Sequence, residues 1–240
     1  MEALIRQHAR IALQVSGGRD SLACLFLLRP WWDKLTVYWL NSGDAFPEVA
    51  EIMAKVRALV PHFVEVDGRQ PDIIRQHGIP SDIVPASATP IGIMGQGGGA
   101  LIQGRYDCCW RVLMQPLHQR MRDDGITLLA RGQKNADALK SPLRDGDVLD
   151  GFTYLFPIQD WSEEQVDAYL ATQEIQPGPF YASMGSTPDC MTCSAWWDEN
   201  RAQYLKARHP AHYALYQQRL DQIQQAVSGH LEAFNREVTA

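Results

Sequence analysis

Four of the five cysteines fall in two pairs, Cys108-Cys109 and Cys190-x-x-Cys193, with a long stretch of chain between them. Chemistry that uses all four needs a fold that brings two remote segments together, and this requirement restricts the chain more than any other feature. The 240 residues suffice for one large domain, or one domain with an appendage. At 45% hydrophobic and 21% charged residues, a full core can be buried. No run approaches the ~18 apolar residues of a membrane span, so no membrane partner is expected. Met1 to Arg6 lacks the basic start and apolar stretch of a secretory signal. The expected location is therefore cytoplasmic, where cysteines are reduced ligands or nucleophiles rather than disulfides. A net charge of −6 argues against broad electrostatic capture of nucleic acid, although a local basic groove stays compatible with it.

The local patterns alternate. Ile11–Val15 reads as a buried strand that ends at Ser-Gly-Gly. Leu22–Leu28, apolar all round and stopped near Pro30, reads as a buried helix. Thr36–Leu40 makes a second strand, Pro47 starts a helix that runs to about Leu59, and His62–Val66 makes a third strand. Residues 68–107, with several prolines and the run Gly95-Gln96-Gly97-Gly98-Gly99, read as a long functional or mobile loop. A helix follows from Cys108 to about Arg122, a strand from Ile126 to Arg131, and a second loop over 132–157. Ser162 and Gln165 form a capping box for a helix whose Val166, Tyr169 and Leu170 share one face. The tail reads as helices, with an apolar packing stripe of Leu220, Ile223, Val227, Leu231 and Phe234. Strands alternating with helices imply an α/β fold with a doubly wound, mostly parallel, Rossmann-like sheet. The expected division is a nucleotide-binding domain over 1–195 and a helical C-terminal extension over 196–240 packed on it.

Ser16-Gly17-Gly18-Arg19-Asp20-Ser21 stands where the first strand hands over to a helix. Glycines permit positive φ and close backbone approach. Unpaired amides and the helix dipole then face an anion, and the motif reads as a phosphate cradle. Asp20 suits such a place as a helix cap or as a ligand for Mg²⁺. The motif resembles the PP-loop of the ATP pyrophosphatase superfamily. It is not of the Walker type, because no Gly-Lys-Ser/Thr follows. Asn41-Ser42-Gly43-Asp44-Ala45-Phe46-Pro47-Glu48, after the second strand, is similar to that family's Asp-Thr-Gly-x-x-Phe-Pro-Glu stretch. The resemblance implies that Asn41, Ser42 and Gly43 face the nucleotide.

A narrower resemblance comes from Cys108-Cys109-Trp110-Arg111-Val112 through Pro116-Leu117, then Phe156-Pro157-Ile158-Gln159-Asp160-Trp161-Ser162, Val166, Tyr169-Leu170, Tyr181, Gly185 and Cys190-Met191-Thr192-Cys193. In this order they resemble the PAPS reductase family, whose signature is Pro-Leu-x-Asp-Trp-x-x-x-x-Val, and the cluster pattern of adenylylsulfate reductases. The resemblance implies an adenine nucleotide alpha hydrolase-like fold, ATP or another adenine nucleotide as ligand, and Cys108, Cys109, Cys190 and Cys193 as ligands of a [4Fe–4S] cluster. Four thiolates suit such a cluster, while vicinal cysteines suit a zinc knuckle poorly. Zinc is the main rival, with a disulfide or free thiols behind it. Trp110, Trp196 and Trp197 flank the cysteines, either as a shield around a cluster or as plain packing. Cys24 reads as an inert core residue.

After the fourth strand, Arg131-Gly132-Gln133-Lys134 stands where family members carry Gly-x-Arg, so Lys134 takes the arginine's place. Arg131, Lys134 and Arg144 are candidates to stabilise charge on a phosphate in transition, with Asp20, Arg131 and Lys134 as the catalytic set. Sulfonucleotide reductases of this family attack with a cysteine near their C-terminus, and no cysteine follows Cys193. The preferred expectation is thus an ATP pyrophosphatase that adenylates an acceptor for sulfur transfer, with a sulfur-donor protein as partner and nucleic acid as one class of acceptor. Two others stand beside it: a reductase whose thiol comes from a partner such as a thioredoxin-like protein or from Cys24, and a nucleotide or redox sensor without turnover. A homodimer is compatible with each.

Overall fold

The protein is described by a computed structural model covering residues 1–95, 99–138, 140–185, 188–197 and 200–240. The elements run α1 (Glu2–Arg6), β1 (Ile11–Gln14), α2 (Arg19–Leu27), β2 (Leu35–Asn41), α3 (Pro47–Leu59), β3 (Phe63–Asp67), α4 (Gln70–His77), β4 (Ile79–Ser81), α5 (Pro90–Gly95), β5 (Ile102–Gly104), α6 (Arg105–Cys109), α7 (Gln115–Asp123), β6 (Leu128–Ala130), β7 (Val148–Leu149), β8 (Phe152–Leu155), α8 (Glu163–Leu170), α9 (Arg201–Arg208) and α10 (Pro210–Val238). A π-helical turn, Trp110–Met114, joins α6 to α7.

The main sheet has the order β3-β2-β1-β6-β8-β7, parallel throughout except for β7. The chain leaves β1 toward β2 and β3 and later returns to β6 on β1's other side. The strand order therefore reverses between β1 and β6, and the carboxyl ends at such a reversal are where doubly wound sheets hold ligands. The loops there are residues 15–18 and 131–137. Apolar side chains follow from this topology. Ile11, Ala12 and Leu13 are fully buried, as are Leu22, Ala23, Cys24 and Leu25 on α2, because a central parallel strand and the helix covering it meet no water. One core layer joins Ala12, Tyr38, Met121, Leu129, Phe152 and Phe156. Truncating a ring such as Phe152 to alanine costs about 3–5 kcal/mol.

Contacts divide the chain into two compact units. The first holds residues 1–41, 46–67 and 116–179, including the six-stranded sheet. The second holds residues 42–45, 68–115 and 180–240, so the tail helices group with the segment around the first cysteine pair. In this unit β4 and β5 pair in parallel, and Ile79, Val84, Ile102 and Ile223 make a small core.

Two expectations are corrected. Residues 68–107 are not one loop: α4, β4, α5 and β5 lie within them. Helix α4 carries Pro71 in its first turn and ends at Gly78 with φ +95°. A side chain at Gly78 would place its Cβ 2.2 Å from the Leu101 backbone. The centre of the glycine run, residues 96–98, lies outside the described residues. Nor are residues 132–157 all loop, since β8 extends the sheet beside β6. The hairpin between β7 and β8 turns on Asp150 and Gly151, both with positive φ (52° and 85°), the pairing that a two-residue type I′ turn demands. The tail stripe packs only in part. Ile223 is buried, whereas Leu231 and Phe234 are exposed.

Candidate functional site

The first unit carries the phosphate loop. Gly17 takes φ +81°, and a Cβ there would lie 3.1 Å from Val49, so glycine meets both a conformational and a steric demand. Gly18 is the N-cap of α2. The first amides of a helix lack partners within it, and the turn directs this end of α2 to the β1–β6 reversal. Ser21 donates its hydroxyl to the Gly18 carbonyl at 2.9 Å and accepts from the Ser16 amide at 3.3 Å. It braces the loop from inside rather than presenting a free donor. Arg19 turns aside to α8, where it meets Glu163 at 2.6 Å and Asp167 at 3.0 Å.

Lys134 is buried, and its ammonium is ringed by Asp20 (2.6 Å), Glu163 (3.1 Å) and Asp137 (3.2 Å). Burial draws the lysine pKa down, but the hydrogen bonds it donates to Asp20 and Glu163 and the charge of Asp20 outweigh it and leave it above its ordinary range. Asp20 moves up because burial outweighs its bond to Lys134. Among the described residues, Asp20, Asp137 and Glu163 are the acidic groups whose oxygens converge within 4.8 Å, and the lysine provides the cation that such a cluster calls for. Three donors meet three carboxylates, so the ammonium is used as a brace. Asp20 Oδ1 remains buried without a partner.

The signature segment builds this cage from the other side. Asn135 donates through its side chain to Asp160 at 2.8 Å and through its amide to the Gln159 carbonyl at 2.7 Å. Ser162 then opens α8 with the expected capping box, which sets Glu163 beside Lys134. A Cβ on Gly132 would meet the Asp20 backbone at 2.7 Å, so only glycine allows the two loops to approach. The Arg131 charge acts on His118 and Tyr154. Arg144 is exposed, its amide closing a turn on Asp147 at 2.8 Å. Asn41 bonds Glu65 on the adjacent strand at 2.9 Å.

The second unit carries the cysteines. Cys108 and Cys109 end α6, immediately before the π-turn, a feature common at functional sites. Cys190 and Cys193 sit on a turn closed by the Cys193 amide on the Cys190 carbonyl at 3.4 Å. All four thiols line one partly open cavity with about 290 Å³ free of protein atoms, together with Val112, Leu113, Gln70, Pro80 and Arg105. None of the three tryptophans is in that lining. Trp110 and Trp197 are exposed and the Arg105 guanidinium lies over the Trp196 ring, an arrangement that favours plain packing over a shield.

Burial pushes Cys108 up to about 12, assisted by Cys109 and Cys193, and pushes Cys109 up to about 11, assisted by Cys193. Burial likewise raises Cys190 well above its ordinary range, with Cys193 adding to it. Left to themselves these are neutral thiols, poor nucleophiles that require a metal to displace their protons. Among the described residues no three of the sulfurs close to within 4.8 Å of one another. A single tetrahedral zinc, with Zn–S near 2.3 Å, would hold them closer, at roughly 3.8 Å.

Ser42, read from the sequence as a nucleotide contact, is fully buried here, and its hydroxyl donates to the Asp189 carbonyl at 2.9 Å. Gly43 packs on Pro71 with φ +80°. The sequence reading missed the residues that frame the Cys190–Cys193 turn. Asp44 accepts from the Thr192 amide (2.9 Å) and hydroxyl (2.6 Å) and from Gln70 (3.1 Å). Arg219 donates to the Thr192 carbonyl at 2.8 Å, and Arg201 to the Cys193 carbonyl at 2.7 Å. Both arginines lie in polar helical sequence, where they look like solvated surface charges. Cys24 is sealed within α2, and burial raises its thiol far above the ordinary range.

No family model matches the chain. It is 20% identical over 219 residues to an adenosine 5'-phosphosulfate reductase of Allochromatium vinosum, covering 83% of this chain and 78% of the relative. It is 28% identical over 115 residues to a protein of the same name from Rhizobium meliloti, covering 41% of this chain and 42% of the relative, less than half of that relative's length. The fold is similar to a phosphoadenylyl-sulfate (PAPS) reductase from Candida auris solved as a phosphate complex, with TM-score 0.55, 14% identity, and coverage of 78% of this chain and 87% of that one. Among the described residues no helix is long and apolar enough to cross a membrane.

Proposed function

Starting from a chain that belongs among the PAPS reductase-like PP-loop proteins, we propose that it is an enzyme that splits ATP between the α and β phosphates to adenylate an acceptor for sulfur transfer, and that its four clustered cysteines hold a [4Fe–4S] cluster. The observation that carries the choice is the state of the thiols. Four line one cavity, three of them (Cys108, Cys109 and Cys190) with raised pKa values, and the fifth is sealed in α2, so no cysteine of this chain stands outside these two settings to attack the sulfur of a sulfonucleotide.

The phosphate loop takes the nucleotide. The amides at the start of α2 face the phosphates, with Ser21 holding the turn and the Lys134 cage holding α2 against the 131–137 loop. Asp20 Oδ1 is the oxygen of that side chain open to a Mg²⁺ that accompanies ATP. An acceptor oxygen attacks the α-phosphorus, the bond to the bridging oxygen breaks and pyrophosphate leaves. Sulfide then displaces AMP from the adenylated acceptor, a bond to sulfur forming as the bond to the AMP oxygen breaks. Preorganised amides and charges stabilise the pentavalent phosphorus.

The cysteine cavity supports the cluster reading by its chemistry: four soft donors brought together from two distant segments, with aliphatic side chains between them. When bound, the cluster would supply electron transfer or a binding point for sulfur. A second reading is supported by the names of the sequence relatives: a reductase of adenylylsulfate with an external thiol. Anaerobically purified protein discriminates them. Pyrophosphate and AMP formed from ATP with sulfide and an acceptor support the first. Thioredoxin-dependent sulfite release from adenylylsulfate, without pyrophosphate from ATP, overturns it in favour of the second.

A further inference from the structure

We propose that Arg201 and Arg219, buried on the two C-terminal helices, are positioning residues for the iron–sulfur cluster: they anchor the Cys190–Cys193 turn by its carbonyls and supply the counter-charge that raises the cluster's reduction potential. This inference rests on the cluster reading above.

Arg201 is fully buried on α9. One Nη1 donor reaches the Cys193 carbonyl at 2.7 Å, while Nε and Nη2 are buried without partners. Among the described residues no carboxylate pairs with it. Its other neighbour is the Tyr216 ring, 5.8 Å away. A guanidinium in this state is expensive, because buried charges are ordinarily paired or coordinated. Arg219, on α10 and 6% exposed, bonds the Thr192 carbonyl at 2.8 Å and hydroxyl at 2.6 Å. The same hydroxyl passes its proton toward Asp44 at 2.6 Å, so Arg219 is linked to one carboxylate through one side chain.

Two buried arginines thus stand against one buried carboxylate, Asp44, while the exposed Asp189 also reaches Cys109 and Cys190, and the buried charges do not balance. Iron held by four thiolates is net negative and removes the imbalance. Each guanidinium also caps one carbonyl of the turn, Thr192 by Arg219 and Cys193 by Arg201, which fixes the direction of the two sulfurs. Arg219 reaches the turn between the two cysteines, at the Thr192 carbonyl and hydroxyl. Positive charge near a cluster favours its more negative, reduced state, so the pair should hold the potential up.

The test uses the full chain, purified without oxygen, as wild type, Arg201→Met, Arg201→Lys and Arg219→Met. Iron and sulfide are assayed, and the midpoint is found by potentiometric titration followed by visible absorption and electron paramagnetic resonance. Arg201→Met is expected to change the reduced-to-oxidised ratio at a fixed potential by about tenfold toward oxidised, a fall of about 59 mV for one electron, and to lose iron several-fold faster in air. Arg219→Met should also lower the midpoint. Arg201→Lys should restore the midpoint but not the retention, because an ammonium keeps the charge and loses the planar fork. A purely structural role would alter retention and leave the midpoint unmoved. If Arg201→Met does not fold, Arg219→Met carries the same measurement. Iron-loaded variants with the wild-type midpoint overturn the inference alone. Wild-type protein without iron and sulfide overturns the cluster reading and this inference with it.

Discussion

Lys134 and Arg201 are both buried cations, one beside the phosphate loop and one beside the cysteine turn, and their surroundings are built in opposite ways. Every donor of Lys134 meets a carboxylate, from Asp20, Asp137 or Glu163. Arg201 has a backbone carbonyl for one donor and nothing for two of its nitrogens. A saturated cation is a fastening: it joins α2, the loop after β6 and the start of α8 whether or not a ligand is bound. An unsaturated one has its electrostatics completed by something else. Lys134, a catalytic candidate from the sequence, is thus bonded to three carboxylates, and Arg201, which the sequence reading did not single out, bonds the carbonyl of Cys193.

The contrast can be broken most sharply at Lys134. Changing it to methionine leaves three carboxylates around an apolar side chain. Because those carboxylates are partly solvated, the expected loss is about 2–3 kcal/mol in urea unfolding, below the figure for a fully buried pair, with iron content unchanged. The pH dependence has a definite sign. A lysine held above its ordinary value when folded contributes fully below the unfolded value, near 10.4, and loses that contribution as pH rises through the folded one. The gap between wild type and Lys134→Met should be constant at neutral pH and close only in strong alkali. A gap that narrows at neutral pH would mean that the cage is not the source of the stability.

A smaller effect is expected at Thr192, the relay between Arg219 and Asp44. Thr192→Val leaves a buried carboxylate and a buried guanidinium each short of one bond, for a loss of about 2 kcal/mol by the same measurement. Iron retention should suffer here and not at Lys134. If both variants hold iron equally, the turn does not depend on its polar frame.

The smallest effect is expected at His118, whose ring nitrogens are buried and unpartnered and whose ring meets Phe152 edge-on at 5.6 Å. Burial, then the charges of Arg131 and Arg122, hold its pKa below the ordinary value. The unfolded chain thus takes up a proton first, and stability present above about pH 6.5 is lost as pH falls below it. His118→Phe should gain about 1 kcal/mol or less at neutral pH, and more at pH 5, read as the change in Tm between the two conditions. An equal response to acid in both proteins would assign the sensitivity to another group.

Much of the architecture was legible in the chain because it depends on near neighbours. The strand before Ser16, the apolar run of α2, Pro47 opening α3 and the Ser162–Gln165 box each rest on a period, a cap or a turn within a few residues, and each stands where expected. Two local signals went unread: Pro71 and Gly78 around α4, and Asp150-Gly151 between β7 and β8. The cysteine tetrad was also visible as residue types and spacing.

What linear order could not decide is which distant charges meet. Lys134 and Asp20 are joined by the strand order β1–β6, and Arg201 and Arg219 reach the cysteine turn only because α9 and α10 pack within the second unit. An exposed arginine and a buried one have the same side chain, and only three-dimensional packing removes the water and leaves the charge to find a partner. Local periodicity thus chose the elements and the chemistry on offer, while tertiary burial decided that Lys134 meets three carboxylates and Arg201 the carbonyl of Cys193.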